Sequence, residues 1–115
     1  MSHHHDCDYY KAQHLADFGK VSDASPELGR KFFAWYSAVF EDGALTAREK
    51  SIVALAVAHA VQCPYCIQAY TEDCLSKGVD REQMTEALHV AAAIRGGASL
   101  VHGMQMREFA TKAGM

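Results

Sequence analysis

Cys63 and Cys66 are the residues of this 115-residue chain whose type and spacing most directly suggest chemistry. With Pro64 and Tyr65 between them they form a Cys-Pro-Tyr-Cys motif. Residues three apart on a helix lie on the same face, with Cβ atoms about 5–6 Å apart, so a disulfide could close with a small adjustment. The motif predicts redox or metal chemistry at two neighbouring thiols, and a buried structural pair is the alternative.

The proline within the motif predicts that a helix begins there. Proline disfavours the helical conformation in the preceding residue and suits the first position of a helix, so Cys63 is expected to be the N-cap. Backbone N–H groups converge at an N-cap, and the helix dipole favours a negative charge there. This position favours the thiolate form of Cys63 and predicts a thiol competent for exchange. Peroxide reduction by a fully ionised thiol would need a further base or cation.

The other two cysteines, Cys7 and Cys74, do not complete a recognisable metal site. Cys74 lies eight residues beyond Cys66, about 12 Å along the same helix, so these two cannot form a disulfide. Cys74 is therefore a small buried residue or a third thiol that another subunit brings close. A structural zinc site needs four ligands, and the chain has no second close cysteine pair and no short His-x₃₋₅-His motif. We expect no metal ion and no cofactor.

The elements that position these residues are expected to be helices, because valine and isoleucine occur in runs of helical period. Capping boxes at 46–49 and 80–83 and the pair Ser25-Pro26 indicate helix starts. The expected helices run from about Tyr10 to Phe18, stopping at Gly19; from Pro26 to before Asp42-Gly43; from Thr46 to the break at Cys63; from Pro64 to about Ser76, ending at Gly78; from Asp80 to Gly96-Gly97, which interrupt the helix; and from about Ser99 to Lys112. The prediction is one all-α domain, 1–115, a compact bundle of about six helices with the motif at a helix N-terminus.

Two apolar faces are expected on these helices. The buried face of the third helix is predicted to consist of Ile52, Val53, Ala56 and Val57. The second helix carries a wide, largely aromatic stripe of Leu28, Phe32, Trp35, Val39 and Phe40. Such a stripe is typical of a core or of a subunit interface.

Composition excludes several classes of partner. Eleven basic and fourteen acidic residues give a formal net charge of −3, which offers no electrostatic footprint for nucleic acid or for anionic lipid. The longest strongly apolar run, 52–61, is about half the length of a membrane span, and residues 1–25 contain no apolar signal core. We expect a small, soluble, cytoplasmic domain. Residues 1–8 are expected to be disordered or partly derived from the expression vector. Met1 to His5 could equally be native, so His3 to His5 carry no functional argument.

The segment from about Leu45 to Gly103 carries the motifs of a known family. Ala47-Arg48-Glu49-Lys50, the apolar helix that follows, the Cys63–Cys66 motif and the next helix to Gly78 resemble the carboxymuconolactone decarboxylase and alkylhydroperoxidase D-like superfamily. More narrowly, 66–71, Cys74 and 89–103 resemble its arsenosugar biosynthesis-associated peroxidase-like branch.

The resemblance implies an all-α fold that assembles into trimers or larger rings such as hexamers. Peroxidase members of this family reduce hydroperoxides with the cysteine pair and return electrons through a disulfide. Cys63 and Cys66 match that pair, and the family implies that Cys66 attacks the peroxide, whereas the dipole argument favours Cys63 as the more acidic thiol. Which of the two cysteines attacks the peroxide therefore stays open.

The proton relay of those peroxidases is not matched in this sequence. The family places a glutamate about twelve residues before the first cysteine and a histidine four after the second; Ser51 and Tyr70 occupy these positions. Serine cannot act as a carboxylate base, and tyrosine is a poor proton acceptor at neutral pH.

Three side chains are candidates to replace the relay. His59 lies four residues before Cys63, near the end of the third helix, where an imidazolium could stabilise a thiolate. Tyr70 could donate a hydrogen bond to a thiolate, or its ring could simply pack. Glu49 lies two residues from the expected glutamate, about 200° around the helix, and its capping role explains it without chemistry.

Two functions therefore follow from the sequence. The first is a thiol–disulfide redox protein with peroxidase-like activity, linked to arsenic-compound metabolism if the branch holds, with a small hydroperoxide or thiol-reactive molecule as substrate and a thiol protein as reductant. The second is a thiol-based binding module for a soft ligand such as a trivalent arsenical, because thiolates suit soft centres. A further hypothesis, without chemistry, is an oligomeric helical scaffold whose cysteines are inert.

Overall fold

The computed structural model describes residues 9–114, and the regular elements of this part of the chain are all helices, without strands. The all-α prediction is therefore confirmed. Six α-helices follow one another in the chain: α1, Ala12–Ala16; α2, Pro26–Val39; α3, Ala47–Ala60; α4, Pro64–Ser76; α5, Arg81–Val101; and α6, Gly103–Lys112. A short 3₁₀ helix, Phe18–Lys20, joins α1 to α2. His3 to His5 and Cys7 lie outside the described residues.

Helices α3 and α5 begin at the capping boxes that the sequence indicates. Thr46 Oγ1 accepts the N–H of Glu49 at 3.0 Å, and the Glu49 carboxylate accepts the N–H of Thr46 at 2.8 Å. Asp80 and Gln83 form the same reciprocal pair at the start of α5. Each box satisfies backbone N–H groups that the first turn of a helix leaves without a partner.

The break between α3 and α4 lies where Pro64 predicts it. Cys63 is the N-cap of α4, in an extended conformation, and Pro64 is the first helical residue. Just before it, Gln62 has a φ of 59°, a left-handed conformation that is unusual for a residue other than glycine. Gly78, with a φ of 79°, follows the end of α4, as expected for a C-terminal cap.

Three boundary predictions were wrong. Gly96 and Gly97 do not interrupt α5, because glycine costs a helix only about 1 kcal/mol relative to alanine and removes no backbone hydrogen bond. The last helix begins at Gly103 rather than Ser99. Gly19 does not stop α1, which ends at Ala16, and instead lies within the 3₁₀ helix.

The buried core is small and lies where α4 and α5 pack against α3. Its centre is Leu55, Cys74 and Val79, with Ala58, Ala87 and Ala91 also buried. The predicted buried face of α3 was therefore partly wrong, because Val53 and Val57 are 51% and 52% exposed. The face of α3 that is buried is centred on Ser51, Leu55 and Ala58 instead.

The chain by itself is not the compact bundle that we expected. Its radius of gyration is 19.1 Å, against about 13 Å for a compact domain of this size. The stripe on α2 is largely exposed, with Trp35 at 64%, and so are Leu100 and Phe109 near the C-terminus, at 80% and 69%. Within the described residues, no helix is both long enough and apolar enough to span a membrane.

Candidate active site

The two cysteines of the motif lie side by side at the N-terminus of α4. Both are partly exposed and reduced, and their sulfur atoms are 2.8 Å apart. Cys63 Sγ also accepts the backbone N–H of Cys66 at a distance of 3.3 Å between nitrogen and sulfur. This contact is the N-cap hydrogen bond of α4, in which the Cys63 sulfur takes the place of the usual side-chain oxygen.

The surroundings of Cys66 oppose the ionisation of its thiol. Burial, and then the hydrogen bond to Cys63 and the charge of that residue, raise the pKa of Cys66 to about 11. At neutral pH Cys66 therefore keeps its proton.

An apolar groove of about 470 Å³ lies beside Cys66. One wall is a stripe of α3 that runs from Lys50 to Val61 and includes Val53 and Val57. The other wall comes from the end of α2, through Tyr36, Val39 and Phe40, and from Cys66 and Tyr70 of α4. Cys63 is not among the residues that line the groove, so Cys66 is the thiol that a molecule bound there would meet.

Tyr70 lines the same groove and is held by α2. Its hydroxyl is hydrogen-bonded to the hydroxyl of Tyr36, and its ring stacks on Phe40 with centroids 5.3 Å apart. Burial, and then the hydrogen bond to Tyr36, raise the pKa of Tyr70 well above its usual value. Tyr70 therefore stays protonated and can act as a hydrogen-bond donor, but not as a base.

Ser51, at the family's glutamate position, is fully buried and contacts a carboxylate from α4. Its hydroxyl lies within hydrogen-bonding distance of Asp73 and of the carbonyl oxygen of Ala47. Asp73 also accepts from Lys77 Nζ at 2.5 Å. Burial opposes ionisation, but hydrogen bonds from Lys77 and Ser51 hold the pKa of Asp73 below its usual value. Sequence reasoning missed Asp73, although Cys66, Tyr70, Asp73 and Lys77 follow one another at helical spacing.

The other relay candidates lie apart from the groove. His59 Nδ1 is 2.9 Å from the carbonyl oxygen of Leu55, so Nδ1 must be the donor and Nε2 is the free nitrogen. The ring lines a second, more open depression with Gln62, Pro64 and Ile67. Glu49 is exposed, and its carboxylate is bonded within the capping box. Neither side chain lines the groove beside Cys66.

Tyr65 contacts the N-terminal segment rather than the thiols. Its hydroxyl accepts the N–H of Lys11 at 3.0 Å and donates to the carbonyl oxygen of Tyr9 at 3.1 Å. Cys74 is completely buried between Leu55 and Val79. It behaves as a small core residue, so within this chain it does not join the thiol pair.

No side chains of residues 9–114 form a group of three or more histidines, cysteines or carboxylates that could hold a metal ion. The thiol pair therefore stands as two sulfur ligands without further protein donors in the part of the chain that the structure describes.

Comparison with known proteins shows which family the chain belongs to. The carboxymuconolactone decarboxylase family model matches residues 26–108, and the chain belongs to this family. It is 41% identical over 87 residues to "Uncharacterized protein 4 in cox locus" of Paracoccus denitrificans, covering 76% of this chain and 78% of that one. An uncharacterised protein of Cupriavidus necator is 31% identical over 80 residues, covering 70% of this chain and 71% of its own length.

Solved structures agree with this assignment. A protein of Methanobacterium thermoautotrophicum matches with a TM-score of 0.71 and 32% identity, covering 73% of this chain and 94% of that chain. A carboxymuconolactone decarboxylase family protein of Legionella pneumophila, solved in its apo form, matches with a TM-score of 0.65 and 32% identity, covering 78% and 85%. The predicted superfamily is thus confirmed, while the arsenosugar-associated branch stays a prediction.

Proposed function

We propose that this chain is a peroxidase-like thiol–disulfide protein, in which Cys63 and Cys66 cycle between dithiol and disulfide as a hydroperoxide is reduced. The observation that carries the proposal is the pair itself, with sulfurs 2.8 Å apart at a helix start and Cys66 lining an apolar groove. Membership of a family whose peroxidases use such a pair supports it.

In the proposed reaction, Cys66 is the attacking thiol. Cys66 Sγ attacks the terminal peroxide oxygen, and its proton is released to solvent. The O–O bond breaks, leaving a sulfenic acid on Cys66 and an alkoxide that takes a proton from solvent to become the alcohol. Tyr70, which stays protonated, donates a hydrogen bond to the leaving oxygen.

Disulfide formation completes the cycle. The Cys63 thiol attacks the sulfenic sulfur of Cys66, and water leaves with the proton of Cys63 and the sulfenic hydroxyl group. The two thiols have then given two electrons to the peroxide. A dithiol reductant, as a small thiol protein or dithiothreitol, restores the pair by thiol–disulfide exchange.

Cysteine substitutions test this proposal by the consumption of cumene hydroperoxide in the presence of dithiothreitol. Cys66→Ser should abolish turnover, and Cys63→Ser should stop at a Cys66 sulfenic acid that dimedone traps and mass spectrometry detects. Cys74→Ser is the matched control and should keep turnover. If both single variants of the pair consume peroxide at the parent rate, the proposal is wrong.

Residue-resolved alkylation by iodoacetamide tests the proton arrangement in the pair. Because the pKa of Cys66 is raised to about 11, its alkylation should stay slow at neutral pH and rise only towards pH 11. Cys63→Ala removes the hydrogen bond and the charge, so the rise should move to lower pH. An unchanged profile would show that Cys63 does not raise the pKa of Cys66.

The proximity of the two sulfurs also favours a second function, binding of a trivalent arsenical without turnover. Two thiols this close can chelate one soft centre, releasing their protons, whereas Cys74 is too deeply buried to contribute. Native mass spectrometry with phenylarsine oxide should then show one adduct that is lost in Cys63→Ser and Cys66→Ser. An adduct in a protein that never consumes peroxide would favour this function over the first.

The proposed active form is a homo-oligomer, a trimer or a hexamer. Exposed apolar side chains on α2, α5 and α6, together with the large radius of gyration, support association of several copies.

A further inference from the structure

The apolar groove beside Cys66 has a continuous hydrocarbon surface. Val53 and Val57 of α3 and Val61, the C-cap of that helix, are four residues apart and form one strip, with exposed fractions of 51%, 52% and 64%. Phe40 and Val39 face the groove from α2. A hydrocarbon chain lying in the groove would remove this surface from water, which is favourable in proportion to the apolar area covered.

Lys50 is the charged residue among those that line the groove. Its Nζ donates to the backbone carbonyl oxygen of Glu41 at 2.5 Å. Among residues 9–114 the ion pairs are Arg30–Glu27 and Lys77–Asp73, so no described carboxylate neutralises Lys50. An ammonium group has three N–H donors, and two remain for an anion.

The charge and the thiol lie towards opposite ends of the groove. Lys50 and Val61 are eleven residues apart on α3, which corresponds to about 16 Å along the helix. Val61 precedes the turn that leads to the Cys63–Cys66 pair, so the thiols lie at the end away from Lys50. The volume of about 470 Å³ is in the range of small-molecule sites, about 300–1,000 Å³.

We propose that the groove binds a long-chain hydroperoxide that carries a carboxylate, such as a fatty acid hydroperoxide. The carboxylate contacts Lys50, the alkyl chain lies along Val53 and Val57, and the peroxide reaches Cys66. The reaction of the peroxide rests on the function proposed above. Recognition of the chain and the carboxylate does not, because it needs no redox step.

Isothermal titration calorimetry of dodecanoate binding to the full chain tests this recognition. Dodecanoate has no O–O bond, so its binding involves no redox step. Hexanoate should bind more weakly, because it covers less of the valine strip. Lys50→Met should weaken dodecanoate about fivefold and leave methyl dodecanoate unchanged, whereas Lys50→Arg should keep the affinity. Lys31→Met is the matched control: it removes the same charge from an exposed position of α2 and should change neither affinity.

Peroxide turnover is compared in the same way, with linoleic acid hydroperoxide and its methyl ester as substrates. Lys50→Met should lower kcat/KM about fivefold for the acid and not for the ester, whereas Lys31→Met should change neither value. Binding of dodecanoate without any peroxide turnover would support the ligand class and contradict the proposed function. Turnover of cumene hydroperoxide without dodecanoate binding would support the proposed function and contradict the ligand class.

Two results would overturn the inference directly. One is equal weakening of dodecanoate binding by Lys50→Met and Lys31→Met, which would mean that only net charge matters. The other is a parent protein that binds no dodecanoate and whose oligomer dissociates into monomers when Val57→Asp is introduced. In that case a second copy of the chain covers the groove.

Discussion

Asp73 places a carboxylate next to Ser51, although the two residues lie on different helices. Ser51 stands where related peroxidases place a glutamate, and the nearest carboxylate comes from α4, hydrogen-bonded to Ser51 and paired with Lys77. The chain therefore keeps a carboxylate next to the buried face of α3, but on a different helix. Its partners make it an electrostatic link between α3 and α4.

Asp73→Asn should lower the free energy of unfolding by about 1–2 kcal/mol at pH 7, since it removes a charged hydrogen-bond acceptor from Lys77 and Ser51. The pKa of Asp73 is lower in the folded protein, so the ionised form adds stability above the unfolded value of about 3.9. This stability is lost as the pH falls towards the folded pKa. Urea denaturation across pH 3–7 measures it, with Glu72→Gln, an exposed neighbour, as the control. A loss that does not shrink in acid would exclude an electrostatic cause.

At the scale of the elements, capped helix starts were easier to predict than helix continuity. Capping boxes and the Cys63-Pro64 step act through bonds within four residues, so Thr46, Asp80 and Cys63 are the N-caps that the sequence indicates. Gly96 and Gly97 lower helix propensity without forbidding the helix, and α5 passes through both. The propensity of two residues cannot decide whether the helix continues, because the other nineteen residues of α5 outweigh the two glycines.

A buried glycine fixes how α2 begins. A Cβ added to Gly29 would lie 2.8 Å from Cβ of Ser22, in the turn before the helix, whereas one added to Gly97 would meet nothing within 4 Å. Gly29→Ala should therefore lower the free energy of unfolding by about 1–2 kcal/mol, the steric cost less the gain in helix propensity.

Gly97→Ala is the matched substitution and should raise the free energy of unfolding by about 0.5–1 kcal/mol. Urea denaturation of both variants at one protein concentration makes the comparison. Equal effects of the two substitutions would show that the turn at Ser22 yields to the added methyl group.

At the scale of the whole molecule, the chain exposes more apolar surface than a stable monomer would. The stripe on α2, the second half of α5 and α6 lie largely outside the core formed by α3, α4 and α5. Large exposed apolar patches mark interaction surfaces in proteins that work in water. This is the physical basis for the proposed homo-oligomer.

Analytical ultracentrifugation should give a mass of at least three times 12.6 kDa for the parent chain. Leu100→Glu, at a side chain that is 80% exposed in the single chain, should lower that mass by placing a charge in the interface. Gln105→Glu introduces the same residue at an exposed polar position of α6 and should leave the mass unchanged. A parent protein that sediments at 12.6 kDa would contradict the proposal.

The sequence by itself determined the helical class, the family, the capped starts of α3, α4 and α5, and the neighbouring positions of Cys63 and Cys66. These features depend on helical periodicity and on contacts between residues close in the chain. Only the tertiary structure decided that Cys66 rather than Cys63 lines the groove, that Tyr70 is held by Tyr36, and that Asp73 reaches Ser51. Each of these depends on how α2, α3 and α4 pack against one another, and periodicity along one helix does not specify which face meets which neighbour.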